Sequence, residues 1–147
     1  MSALSDLYQQ VILDHAKERH GNVPLASEFA DDGWSTESHQ VNPTCGDEIT
    51  LRVTGTGDTI RHICWEGDGC SISMASASVL HDMGEGLTRE ELQELTAAFR
   101  DLLRSRGTME PDEEVLGDAA AFAGVARYSA RVKCAMLAWV AAEDALR

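Results

Sequence analysis

Four side chains in this sequence can bind one metal ion between them. Cys45 and Asp47 stand two residues apart in PTCGD, Cys70 closes GDGC, and Cys134 closes ARVKC. In a loop, positions i and i+2 can point to one side, so Cys45 and Asp47 can share an ion. Adding Cys70 and Cys134 gives three sulfurs and one carboxylate. That donor mix suits tetrahedral Zn²⁺, and it can equally hold iron or an iron–sulfur cluster. No CxxC pair is present, so spacing alone does not bring the four together.

Position along the chain speaks for them. Cys45 precedes the first long strand, Cys70 lies between a strand and a helix N-terminus, and Cys134 lies one turn inside the last helix if Ser129 caps it. Junctions leave side chains free to converge, and helix N-termini favour the thiolate. Arg131 and Lys133 flank Cys134 and favour its thiolate too. They are the obvious counterions, because three thiolates and a carboxylate leave surplus negative charge around a divalent ion.

The elements that must position these residues follow from periodicity. Leu4, Leu7, Tyr8, Val11, Ile12 and His15 recur at helical steps, and Gly21, Asn22 and Pro24 stop the helix. Residues 25–38 read as a loop, and 39–42 as a short strand stopped by Pro43. ITLRVTG (49–55) alternates, and TIRHICW (59–65) returns after a Gly-rich turn, which makes a hairpin. A small-residue helix is expected over 71–83. Thr88 with Glu91 forms a capping box that opens a helix over 89–105. An Ala-rich helix is expected over 113–126 and a final one over 130–146 with Ser129 as N-cap. Strands early and helices late predict a single α+β domain spanning 1–147, a small three-stranded antiparallel sheet with helices packed on one face.

Composition excludes other functions. The chain has 147 residues, 44% of them hydrophobic, and a formal net charge of -13, which opposes binding to nucleic acid or to anionic membranes. No stretch approaches the ~20 apolar residues of a membrane span. The first twenty residues lack a cationic segment ahead of their apolar ones, so a cytoplasmic protein is expected. The cysteines then face a reducing compartment and are not read as disulfides.

Several residues have plainer readings. Cys64, within a strand between Ile63 and Trp65, is read as core. The five histidines (15, 20, 39, 62 and 81) form no pair at ligand spacing and are read as surface or core. Ser71, Ser73, Ser76 and Ser78 are read as a small-residue packing face.

Three blocks, PTCGDEI, GDGCSISMASASVL and ARVKCAMLAW, resemble in that order the IscU-like (NifU N-terminal-like) family of iron–sulfur assembly proteins. More narrowly they resemble its SufU branch. The resemblance covers nearly the whole chain. In the family's cluster scaffolds a histidine precedes the last cysteine; here Lys133 stands there. The SufU branch also carries a GTM-x-PD-like segment between the second and third cysteines, matched here by Gly107, Thr108, Met109, Glu110, Pro111 and Asp112. The resemblance implies a zinc site of Cys45, Asp47, Cys70 and Cys134, and sulfurtransferase activity. It implies a SufS-like cysteine desulfurase, a pyridoxal-phosphate enzyme, as partner and an iron–sulfur assembly scaffold downstream. In that family the desulfurase offers the zinc a histidine and frees the first cysteine to accept a persulfide sulfur. Carried over, Cys45 is the acceptor and Arg131 a supporting residue. The alternative is a scaffold on which an iron–sulfur cluster is assembled. A third reading is a zinc-stabilised structural domain.

Overall fold

The computed structural model describes residues 3–25, 33–44 and 46–147. Helix α1 (Ala3–Glu18) leads into strands β1 (Trp34–Asn42), β2 (Asp47–Thr56) and β3 (Thr59–Asp68). Helices α2 (Ser71–Gly84), α3 (Arg89–Arg104) and the short α4 (Glu113–Leu116) follow, then a 3₁₀ segment (Gly117–Arg127) and α5 (Ser129–Ala145). The strands form one antiparallel sheet in the order β1-β2-β3. Ile49, Leu51 and Val53 of β2 and Ile63 and Trp65 of β3 are buried with the apolar residues of α2, α3 and α5 in one core. The α+β expectation, with helices on one face of a three-stranded sheet, is what the structure has.

The free edge of β3 is covered, which matters because bare edges pair with other chains. Trp65 N–H donates to Gly21 O at 2.9 Å and Val23 N–H to Trp65 O at 3.2 Å, so the stretch after α1 runs beside the strand. Farther along, Ile60 N–H donates to Leu87 O at 2.8 Å.

Three boundaries differ from expectation. Strand β1 begins at Trp34, inside the stretch read as loop. The Ala-rich helix is broken: Gly117 has φ 51, a left-handed conformation that ends α4 after one turn, and the chain continues as 3₁₀ helix. The N-cap of α5 is Tyr128, with no side-chain capping bond, and Ser129 is the first helical residue.

His15 is buried and His20 half-buried, and their rings meet edge to face with centroids 5.2 Å apart. Ser76 and Ser78 are fully buried in α2, where small size lets neighbours approach. Each is also a hydrogen-bonding post: Ser76 Oγ accepts from the Trp139 indole at 2.9 Å, and Ser78 Oγ lies 2.7 Å from His15 Nδ1.

Candidate metal centre

Three separate elements deliver donors to one point. Asp47 opens β2 and is 2% exposed. Cys70 is the N-cap of α2. Cys134 lies in α5 and is buried. One ligand atom from each lies within 4.8 Å of the other two. Cys45 lies outside the described residues; its chain neighbours Thr44 and Gly46 belong to the turn between β1 and β2 that leads into Asp47.

The carboxylate is held on both oxygens. Cys70 N–H donates to Asp47 Oδ1 at 3.0 Å, and the Ser73 hydroxyl donates to Oδ2 in a short bond. Gly69 permits this approach, because a Cβ there would stand 2.7 Å from Asp47 Oδ1. The Cys70 sulfur caps its own helix, accepting from Ser73 N–H at 3.5 Å. Backbone amides at a helix N-terminus stabilise negative charge, and the Cys70 sulfur sits against them.

Cys134 is not placed that way. Its Sγ lies 3.6 Å from Ala130 O, the carbonyl one turn back, and 3.9 Å from Asn42 Nδ2. The carbonyl accepts from the thiol, while the Asn42 amide donates toward the sulfur. The helix-terminus argument therefore holds for Cys70 and fails for Cys134, whose sulfur is more than one turn inside α5. The expected counterions are elsewhere occupied or solvated. The Arg131 guanidinium lies 5.0 Å from the centroid of the Tyr128 ring. Among the described residues neither Arg131 nor Lys133 forms a salt bridge, and both are exposed.

The donors present fit a zinc ion. Bonds of about 2.0–2.3 Å around a tetrahedral centre place neighbouring donors roughly 3.5 Å apart. Cys70 Sγ and Asp47 Oδ2 already stand 3.5 Å apart. A buried carboxylate beside two sulfurs, with a third cysteine two residues before it in sequence, is a donor set for a thiophilic cation.

Sequence reasoning missed three participants. Ser73, read as packing, orients the carboxylate; its position three residues after the capping Cys70 was the available signal. Asn42 contacts the Cys134 sulfur from the end of β1, and Gly69 makes room for Asp47. Neither carries a sequence signal apart from its neighbourhood.

Cys64 stands apart from the cluster. It is 6% exposed in β3, and burial, with Glu85 nearby, pushes its thiol above the ordinary range. Cys64→Ser is expected to leave the bound metal per chain unchanged by elemental analysis. A halved metal content would overturn the ligand set.

Comparison with known proteins agrees with this layout. The model of the NifU-like N-terminal domain matches residues 7–135. The iron-sulfur cluster assembly scaffold protein IscU of Streptococcus pyogenes serotype M1 is 38% identical over 148 residues, covering 100% of this chain and 87% of the relative. The zinc-dependent sulfurtransferase SufU of Bacillus subtilis strain 168 is 38% identical over 141 residues, covering 95% of this chain and 89% of the relative. Among solved structures, a candidate iron-sulfur cluster assembly scaffold protein for the SUF system (FiSufU) from Fervidobacterium islandicum AW-1 superposes with a TM-score of 0.78 at 33% identity, covering 94% of this chain and 95% of that one. A match over most of the length, with sulfur and carboxylate donors gathered at one end of the sheet, places this chain in the family of NifU-like N-terminal domains, the iron–sulfur cluster assembly proteins.

Proposed function

We propose that this chain is a zinc-dependent sulfurtransferase that accepts persulfide sulfur from a cysteine desulfurase and passes it on for cluster assembly. The convergence of Asp47, Cys70 and Cys134 carries the reading, with Cys45 as the fourth ligand and the acceptor. Lys133, where the resemblance places a histidine in cluster scaffolds, supports it. A zinc ion bound there supplies a redox-inert Lewis acid that keeps thiols deprotonated.

The chain's own groups do the rest. Asp47, pinned by Cys70 N–H and Ser73, fixes the orientation of its side of the site. Cys70 and Cys134 would hold the ion together with Asp47, and Cys45 is the thiol offered to the partner. The Cys45 thiolate attacks the terminal sulfur of the desulfurase persulfide. A new S–S bond forms on Cys45, the partner's S–S bond breaks, and the partner cysteine departs as thiolate. One disulfide-type bond replaces another, so no outside oxidant or reductant enters. Arg131, exposed on α5, supports the incoming anionic persulfide.

A second reading, a scaffold that carries the cluster itself, draws support from the IscU-named relative at equal identity. The two separate by metal content. The purified protein is expected to hold one zinc at this centre and to be colourless, with that zinc lost in Cys134→Ala. A brown protein with iron and sulfide in place of zinc, isolated without added iron, would establish the scaffold reading instead.

A further inference from the structure

We propose that His15, His20 and Asp82 form a second metal site, separate from the sulfur-lined centre, for a divalent ion of the zinc type. His15 lies in α1, His20 just after it, and Asp82 in the last turns of α2. One ring nitrogen of each histidine and one carboxylate oxygen of Asp82 lie within 4.8 Å of one another. Two imidazoles and a carboxylate, with a further position open to water, are a common zinc donor set.

The hydrogen bonds around the rings show which nitrogens are available. His15 is 6% exposed. Its Nε2 faces Asp118 Oδ2 at 2.9 Å, which places the ring proton there and leaves the lone pair on Nδ1. Ser78 Oγ, 2.7 Å from that Nδ1, also accepts from His20 N–H at 2.9 Å, so its own proton points at the lone pair, and an ion binding there must turn that hydroxyl proton away. His20 differs, with a carboxylate at each nitrogen: Glu18 faces Nε2 at 3.4 Å and Asp82 Oδ2 lies 2.7 Å from Nδ1, so an ion entering between His20 and Asp82 takes the place of the Nδ1 proton. A carboxylate on the outer nitrogen is the arrangement that orients metal-bound histidines and raises their basicity. Asp118 and Glu18 take that part for the two rings, and their charges favour a cation nearby. The His20 Nδ1 and Asp82 Oδ2 atoms stand 2.7 Å apart and must separate by roughly 0.7 Å to admit an ion with bonds of about 2.0–2.2 Å. His20 is half-buried and Asp82 exposed, so an ion can enter from solvent. Once bound, it ties the end of α1 to α2.

This proposal is independent of the sulfur-transfer reading, and the test keeps them apart. The full chain is equilibrated with zinc, desalted and analysed for metal, alongside His20→Ala, Asp82→Asn and Cys134→Ala, each checked for native circular dichroism. The expected result is two zinc ions in the parent chain. One is lost, or bound at least tenfold more weakly in titration, in His20→Ala and Asp82→Asn, and that same ion is kept in Cys134→Ala. Cobalt substitution adds a readout: the histidine site contributes no sulfur-to-cobalt charge-transfer band, so that band persists in His20→Ala. A parent chain with zinc only at the sulfur centre, or a second zinc untouched by both histidine-site substitutions, overturns the proposal. One zinc lost in His20→Ala but kept in Cys134→Ala upholds this site while removing the other.

Discussion

Cys45→Ala is expected to leave the protein folded and to reduce its stimulation of a cysteine desulfurase to the rate of that enzyme alone. Persulfide labelling followed by mass spectrometry should find no sulfur added to the variant. The loss is expected to be complete because the remaining cysteines have other duties. Cys134 is buried against Ala130 O and Asn42, and Cys64 is buried in β3. Cys70 is exposed, but its sulfur caps α2 and is a ligand in the proposed function. Removing the proposed acceptor thiol eliminates the covalent step rather than slowing it. Full stimulation by Cys45→Ala, or a persulfide found on Cys70 of the parent chain, would displace Cys45 as the acceptor. Circular dichroism and bound zinc measured on the same sample separate loss of the acceptor from loss of the fold.

Trp139→Ala should cost about 3–5 kcal/mol of unfolding free energy, which is the usual penalty for deleting a buried large aromatic. The indole is fully buried and packs on Phe99 of α3 at 4.5 Å between centroids. Its N–H donates to Ser76 Oγ of α2. One side chain thus joins α5 to two other helices, and Ser76 in turn donates to Ala135 O. Against the ~5–15 kcal/mol that holds most domains together, the loss is large enough to unfold a sizeable fraction of the chain at 37 °C. Trp139→Phe keeps most of the volume and removes only the N–H bond, so it should cost about 1–2 kcal/mol. Urea unfolding followed by circular dichroism measures both. Equal costs for the two variants would show that packing against Phe99 is not the main contribution.

The parts of the fold that could be read in the sequence are those where polarity and periodicity agree. The β2–β3 hairpin alternates apolar and polar residues, and the capping box at Thr88 and Glu91 is present with both of its bonds. The first half of β1 was hidden because, after Trp34, its inward positions are polar. Trp34, Thr36, Ser38, Gln40 and Asn42 face in while Val41 is 49% exposed. Ser38 is satisfied by Asp144 at 2.8 Å, and Glu37 pairs with Arg52 across the strands at 2.9 Å. No hydropathy pattern reports such a strand, since its partners come from the far end of the chain. The break at Gly117 was hidden for a different reason. Ala-rich sequence favours helix locally, and the left-handed glycine acts against it.

The centre was legible as a set of residue types, and its geometry was not. Cys70 and Asp47 follow from junction positions, as does the idea that they meet. That Cys70 itself caps α2, that Ser73 holds the carboxylate and that Cys134 leans on a carbonyl are products of tertiary placement. His15 and His20 were dismissed on spacing, because five residues apart is not a helical ligand step. The chain turns after α1, and that turn is what brings the rings together.

Donors contributed by β2, α2 and α5 have a kinetic implication. Closing distant loops is slow and entropically costly, so these donors come together only after the final docking events. Immature or thermally opened molecules should therefore release their cargo to any competing chelator. Under the proposed function, zinc supply would then set how long this polypeptide survives proteolysis, by mass action on its native population.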